Sequence, residues 1–350
     1  MKKDKLAIVG VGNFGLGFAI YLNHYKKYEV VAIDKNKERI KLLKQKNYHG
    51  LKESSIEFYT NIKKVKSCNI IFIFVDTPSL PNGNYDHSNI LKIVKDLEKL
   101  SKRTIIICST VMPGFCNSIK TKHDLAYMPQ FASQGSVIND IVNPQFILAG
   151  ANKKRIFKKI KKIYSQPFFS TKLIEAEIIK IGLNCFITMK ITFANLIGDL
   201  CKSLNCDDEK VLKVISKDKR VGKKYFKYGY GYGGPCFPRD NKAMSNVMNK
   251  HFNYGLSKII DESNEQHLYN QYNLIKKGHL PNNITKTDNI ITITGLSFNQ
   301  KSDMITESQP LKLALILAKD GYTVIIKDKK SLVKSIKKEH GKIFKYEILK

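Results

Sequence analysis

Glycines at positions 10, 12 and 15 stand directly after an apolar run at residues 6–9 and at the start of a helical pattern over residues 13–23. That spacing suits a chain that leaves a strand, turns sharply and enters a helix. The first glycine allows the turn, the second lets backbone approach a pyrophosphate, and the third lets helix pack on strand. The helix N-terminus then offers N–H groups to the anion. Residues 29–33 read as a second strand, which completes a β-α-β unit of about thirty residues. Asp34 ends that strand nineteen residues beyond Gly15, where a carboxylate accepts from ribose hydroxyls and repels a 2′-phosphate. A dinucleotide site of the NAD type is expected, although Lys35 and Arg39 close by leave NADP open on charge alone.

Apolar runs at 69–75 and 104–108, separated by a helical pattern over 90–100, continue the alternation. They predict an α/β fold whose parallel sheet carries helices on both faces, a Rossmann-like N-terminal domain. Residues 78–86 hold Pro81, Asn82 and Gly83 and read as a turn at a strand's carboxyl end, where ligands of such sheets sit. A long helical stretch over 174–204, without proline, predicts a central connector, and a second helix follows over 207–216. Residues 219–240 carry five glycines and two prolines among four tyrosines and read as a long irregular loop, a class that is usually functional. Helical pattern resumes through Lys276, and Pro281-Asn282-Asn283 marks a turn. A second, smaller α/β domain is predicted from a strand at 289–294, a helix at 311–319 and a strand at 323–326, followed by a short basic end. Domain limits are expected at 1–172, 173–284 and 285–350.

The 60 Lys and Arg against 30 Asp and Glu give a net charge of +30, which raises nucleic acid or an anionic membrane as a partner. The lysines scatter over nearly every polar segment, however, and no helix-turn-helix, zinc finger or RNA-binding aromatic motif accompanies them. Neither nucleic acid nor membrane is expected, while a phosphorylated small substrate is favoured. Uninterrupted apolar runs fall far short of the roughly 20 residues of a membrane-crossing helix. Lys2, Lys3 and Lys5 precede an apolar stretch without the small-residue cleavage site of a secretory signal, so a soluble chain is expected. Seven cysteines, an odd number without CxxC pairs, indicate neither a disulfide framework nor a metal site, and fit a reducing cytoplasm. His24, His87, His123 and the remaining histidines follow no repeated spacing and read as surface or capping residues.

One cysteine stands apart. Gly229-Tyr230-Gly231-Tyr232-Gly233-Gly234-Pro235-Cys236-Phe237-Pro238-Arg239-Asp240 places a thiol after a Gly-rich loop, with a cation and a carboxylate three and four residues on. These are the ingredients of a nucleophile beside a polar partner and an anion-accepting backbone. The segment is similar to the motif G-x-G-G-x-C-x-P-[KR]-D, and other motifs agree in order along residues 5–328. They are Val75-Asp76-Thr77-Pro78, Ser109-Thr110-Val111-Met112-Pro113-Gly114, Pro129-Gln130-Phe131-Ala132-Ser133-Gln134-Gly135, Lys180-Ile181-Gly182-Leu183-Asn184 and Asp218-Lys219-Arg220-Val221-Gly222. Together they resemble the UDP-glucose/GDP-mannose dehydrogenase family, NAD-dependent enzymes that oxidise a sugar nucleotide's primary alcohol to a carboxylate.

The resemblance implies that Cys236 attacks the aldehyde left by a first hydride transfer, giving a thiohemiacetal whose oxidation yields a thioester. Lys180 and Asn184, four apart and so on one helix face, would donate to the developing oxyanion. Asp240 would orient a water or accept a proton, with Thr110 and Gln130 also in the catalytic set. Gly10, Val11, Gly12, Gly15, Asp34 and Arg39 would hold NAD, together with Thr77, Thr110, Gln134 and Arg239. Gln130, Phe131, Lys180, Asn184, Tyr225, Gly229 and Gly233 would contact the sugar nucleotide. Arg220 would reach the substrate of a neighbouring subunit, which implies a homodimer around the central helix.

The family pattern breaks at Gln130 and Gln134, which replace glutamates; an amide cannot take a water's proton, so thioester hydrolysis should suffer. Asn299 stands where a substrate-contacting lysine is expected and Thr306 where an arginine is. The chain also stops at Lys350, earlier than family members usually do, so a shortened C-terminal domain is expected. UDP-glucose is the favoured substrate. UDP-N-acetylmannosamine or GDP-mannose oxidation, a degenerate sugar-nucleotide binder that retains NAD, and a basic nucleic-acid-binding protein on a Rossmann scaffold are the competing readings.

Overall fold

The computed structural model describes residues 4–45, 51–52, 54–132, 135–298 and 303–349. Gln134 and Asn299, both singled out above, lie outside the described residues. The chain forms two compact units, Met1–Ile181 and Gly182–Lys350.

The first unit is built on strands β1 (Lys5–Val9), β2 (Glu29–Ile33), β3 (Glu57–Tyr59), β4 (Ile70–Ile73), β5 (Thr104–Ile107), β6 (Asp124–Tyr127), β7 (Ile147–Ala151) and β8 (Phe168–Thr171). Their order in one sheet is β3-β2-β1-β4-β5-β6-β7-β8. The six strands β1–β6 run parallel, whereas β7 pairs antiparallel with β6 and then parallel with β8. The expected parallel sheet is thus extended by two strands of reversed sense. Along β1, Leu6 and Ile8 enter one apolar layer and Ala7 and Val9 the other. Burial on both faces is why this strand reads as an unbroken apolar run. Strand order reverses between β1 and β4, and the crevice outside the carboxyl ends at such a switch point is where open α/β sheets bind ligands.

The helix Leu173–Ser203 begins in this unit. Gly150 on β7 lets it approach, since a Cβ there would stand 2.6 Å from the Lys172 carbonyl oxygen and 2.8 Å from the Leu173 Cα. By length and composition this helix could cross a membrane, with an 18-residue window of mean hydropathy 1.4 that is 39% buried. The charges of this helix break up its apolar runs, so its high average hydropathy does not show as an uninterrupted apolar stretch in the sequence. Among those charges, Lys180, Lys190, Asp199 and Lys202 all make hydrogen bonds within the chain.

In the second unit, β9 (Ile284–Thr287), β10 (Ile290–Thr294), β11 (Thr323–Asp328) and β12 (Lys345–Ile348) form a sheet ordered β12-β11-β10-β9. Pairing is parallel except between β9 and β10. A helix Lys330–His340 and strand β12 replace the expected short basic end. Only Leu332, Val333 and Ile336 of that helix are buried, too few to show against its lysines. The helical pattern through Lys276 is two helices, Phe237–Phe252 and Leu256–Lys276, parted where Asn253 adopts φ +54°. The long loop therefore ends at Cys236, and Arg239 and Asp240 are helical.

Candidate functional site

The glycines and the carboxylate expected to hold the cofactor gather at the switch point of the first unit. Gly10 has φ +92°, and a Cβ on it would lie 2.4 Å from the Phe74 carbonyl oxygen just beyond β4. Only glycine fits there. A Cβ on Gly15 would meet the Gly10 carbonyl oxygen at 1.9 Å, the close helix approach expected of the third glycine. Gly12 faces open space and caps the helix Asn13–Ile20 without any side-chain cap bond. The N–H groups of that first turn are therefore left to an anion. Asp34 accepts the Val11 N–H at 2.9 Å on one oxygen and the Asn36 N–H at 2.9 Å on the other. Each oxygen retains a second lone pair for a ribose hydroxyl. Arg39 donates through Nε to the Val11 carbonyl at 3.2 Å. An uncapped helix, a glycine cradle and a carboxylate beside it fit a dinucleotide.

Loops after β4 and β5 are tied to one another. The Thr77 hydroxyl donates to the Thr110 carbonyl at 2.7 Å, and the Ser109 hydroxyl to the Val75 carbonyl at 2.6 Å. His87 accepts the Met112 N–H on Nε2 at 3.1 Å, and its ring stacks on Phe115 with centroids 3.8 Å apart. Burial depresses its pKa to about 4, which keeps the accepting nitrogen unprotonated. His87 is thus a loop anchor rather than a surface group. His123, 2% exposed, accepts the Arg103 N–H, and His267, 1% exposed, is also internal. The surface reading fails for these three, whereas the capping reading holds in part: His87 is the N-cap residue of the helix Ser88–Leu97, without a side-chain cap bond, and His123 Nε2 meets the Leu97 carbonyl at the other end of that helix at 3.0 Å. After β6, Lys180 donates to the Gln130 carbonyl at 2.9 Å and sits 5.0 Å over the Phe131 ring. The structure thus brings Gln130, Phe131 and Lys180 together. The Gln130 amide nitrogen donates to the Met128 carbonyl at 3.2 Å.

In the second unit, Cys236 is the N-cap residue of the helix Phe237–Phe252, and its thiol is exposed. Backbone N–H groups and the helix field at such a position favour an anion. Cys68, Cys108, Cys116, Cys185 and Cys201 are buried, and burial drives each of their thiols up, that of Cys185 to about 12. Cys206, the other exposed cysteine, follows the carboxyl end of a long helix and precedes Asp207, Asp208 and Glu209, a setting of negative charge. Position alone thus separates Cys236 from the other six.

Asp240, fully buried, accepts from the Asn184 amide at 2.7 Å on one oxygen and from Arg239 Nε and a terminal guanidinium nitrogen, both at 3.1 Å, on the other. Asn184, Arg239 and Asp240 form one cluster. Gly233 and Gly234 pack under the segment before the helix Gln309–Lys319. A Cβ on Gly233 would stand 2.0 Å from the Glu307 carbonyl oxygen, and the Gly234 N–H donates to the Thr306 carbonyl at 3.0 Å. Tyr225 is half-exposed with φ +59°. Arg220, with its side chain 89% exposed, pairs with Asp218 of its own chain at 2.6 Å.

Sequence reasoning missed the residues that hold Gly229. Its N–H donates to Asn195 at 3.0 Å, and its carbonyl accepts from His267 Nε2 at 2.8 Å and Gln271 at 3.0 Å. His267 in turn meets Asp199 at 2.8 Å through Nδ1. A side chain that fixes a peptide group leaves no spacing signature, so nothing in the sequence marks these residues.

The comparisons with known proteins agree with this geometry. Residues 4–168 match the NAD binding domain of the UDP-glucose/GDP-mannose dehydrogenase family, and residues 174–266 match that family's central domain. The UDP-glucose 6-dehydrogenase of Rickettsia felis is 30% identical over 352 residues, covering 91% of this chain and 77% of its own length. That of Campylobacter jejuni is 29% identical over 363 residues, covering 94% and 88%. Among solved structures, a UDP-glucose dehydrogenase from the archaeon Pyrobaculum islandicum superposes with TM-score 0.87 at 25% identity, covering 99% of this chain and 86% of that one. With an NAD-binding first unit of the matching fold and a central segment of matching sequence, this chain belongs to the UDP-glucose/GDP-mannose dehydrogenase family.

Proposed function

We propose that the protein oxidises the primary alcohol of a UDP-sugar, UDP-glucose in the first place, to the carboxylate. The observation that carries this reading is the exposed Cys236 thiol at a helix N-terminus behind a Gly-rich loop. NAD, when bound, supplies the hydride acceptor for both oxidations. Residues 1–172 hold the cofactor, 173–284 supply the thiol and its partners, and 285–350 contribute to sugar-nucleotide recognition.

The alcohol loses a hydride and a proton to become an aldehyde. Cys236 sulfur adds to the aldehyde carbon, and the thiohemiacetal loses a second hydride and a proton to give a thioester. Water then adds to the acyl carbon, and the carbon–sulfur bond breaks to release the acid and the thiol. Lys180 and Asn184 stabilise the oxyanion at each tetrahedral stage. Asp240 accepts from Asn184 and so aims that amide, while Arg239 balances its charge. Thr77 and Thr110 line the nicotinamide side, and Tyr225, Gly229 and Gly233 contact the sugar nucleotide. Arg220 extends to a neighbouring subunit's substrate.

The test is NADH formation over a panel of UDP-glucose, UDP-N-acetylmannosamine and GDP-mannose. UDP-glucose is expected to give two NADH per sugar. Absence of NADH with all three would overturn the reading, and turnover confined to another sugar would reassign the substrate.

A homodimer is part of the proposal. Ile179, Phe186, Phe193 and Leu200, spaced seven apart on the helix Leu173–Ser203, are 39%, 53%, 50% and 53% exposed. A seven-residue apolar repeat marks a seam that a second helix covers. The protein is expected to sediment at twice the chain mass and the doubly substituted Phe193→Asp, Leu200→Asp protein at the chain mass. Sedimentation of the unsubstituted protein as a monomer would refute the dimer.

A further inference from the structure

Glu177 lies on the helix Leu173–Ser203 with no exposed surface. One carboxylate oxygen accepts the Gly114 N–H at 2.6 Å and the other accepts the Cys116 N–H at 2.8 Å. Gly114 itself takes φ +90°. Burial pushes the Glu177 carboxyl above its ordinary range, against which the two backbone bonds act. A buried carboxylate is a costly way to fill a core position, and an apolar side chain of similar volume is often as stabilising. Its presence calls for a reason in what it holds.

What it holds is the far end of the loop after β5. The near end is fixed by Ser109 on Val75 and by Thr77 on Thr110, and the middle by His87 on Met112. Glu177 is the anchor at Gly114 and Cys116. One helical turn on and on the same face, Lys180 grips the Gln130 carbonyl after β6. A single helix face thus secures the two successive loops that carry Thr110 and Gln130.

We propose that Glu177 is a positioning residue for hydride transfer, clamping the 114–116 turn so that Thr110 and Lys180 keep one fixed register. This rests on the reading of Thr110 as lining the nicotinamide side and of Lys180 as stabilising the reacting oxygen. Misplacement of reacting groups by about 1 Å can cost about a hundred-fold in rate.

The test compares Glu177→Gln, which retains one acceptor oxygen and turns an NH2 toward the other N–H, with the unsubstituted protein. In Glu177→Gln, kcat is expected to fall about 10- to 100-fold while KM for UDP-glucose stays within about two-fold. The deuterium isotope effect with sugar labelled at the reacting carbon should rise as hydride transfer becomes rate-limiting. Amide exchange over residues 110–116, measured with NAD present, should quicken at least about ten-fold. An unchanged kcat with unchanged exchange would overturn the proposal, as would a loss of kcat that only tracks the unfolded fraction seen by circular dichroism. If Glu177→Gln does not fold, Glu177→Asp, which keeps the charge and shortens the reach, carries the same test. Should the unsubstituted protein form no NADH with any sugar nucleotide, the functional reading fails separately, and exchange then decides. Faster exchange with weaker NAD binding supports the clamp, and unchanged exchange rejects it.

Discussion

Cys236→Ala is expected to lower steady-state NADH formation from UDP-glucose by at least about a thousand-fold, a size in keeping with removal of a covalent nucleophile. The first oxidation needs no thiol, so the variant retains a path to the aldehyde. Without sulfur to add to it, the aldehyde carbon offers no second hydride from a covalent tetrahedral adduct, and the reversible first step runs no further. Because the side chain is exposed, the substitution should change stability by no more than about 0.5 kcal/mol. NAD affinity should be unaltered. Cys236→Ser should be as inactive, since a hydroxyl is a poor nucleophile without an adjacent base. Its melting temperature should stay close to that of the unsubstituted protein, because Cys236 has φ −105° and ψ −53°, and a hydroxyl on such a helical backbone is not aimed at the N–H groups of the first turn. Cys206→Ala, which removes the other exposed thiol, should leave the rate unchanged. Retention of a tenth of the activity in Cys236→Ala would remove the covalent mechanism.

That the cysteine loop stands out in the sequence, and the Glu177 contact with the 114–116 turn does not, has a physical cause. The glycines of the cysteine loop and of the first β-α-β turn are demanded by backbone approach over a few residues, as at Gly10 against Phe74 and Gly233 against Glu307. Such demands write themselves as local strings. Glu177 answers to N–H groups more than sixty residues away, and every residue but proline carries such a group, so the contact leaves no string in the sequence. The same division runs through the fold. Strand β1, buried on both faces, is plain in the sequence, and the apolar run at 29–33 has the limits of its neighbour β2. Strand β6 opens on Asp124, a charge buried through bonds from Arg155 and Lys153, and strand β7 contains Gly150, required by a helix. Those residues suit tertiary neighbours rather than strand propensity, and they disguise their strands. In the helix Lys330–His340 the lysines conceal a buried face of three residues.

Gln130→Glu is expected to speed product release, and the unsubstituted protein to accumulate an acyl adduct on Cys236 during turnover. The Gln130 amide nitrogen donates to the Met128 carbonyl, which orders the side chain, and the backbone carbonyl of Gln130 accepts from Lys180. An amide there can hold a water but cannot receive its proton, and general-base assistance is typically worth about 10²–10⁴-fold. Thioester hydrolysis is the step that needs such a base, whereas the hydride transfers and the attack of sulfur do not depend on a water. Glutamate cannot donate to the Met128 carbonyl, so its carboxylate will turn away from that oxygen, and the Lys180 bond to the backbone is unaffected by the exchange. The expected gain in steady-state rate is therefore at the lower end, about a hundred-fold, with the adduct falling in step. Intact-mass measurement on samples quenched during turnover reads the adduct directly. Unmodified protein alone in the quenched samples would show that hydrolysis is not slow, and a Gln130→Glu protein no faster than its parent would place the base elsewhere, with Asp240 the next carboxylate to substitute.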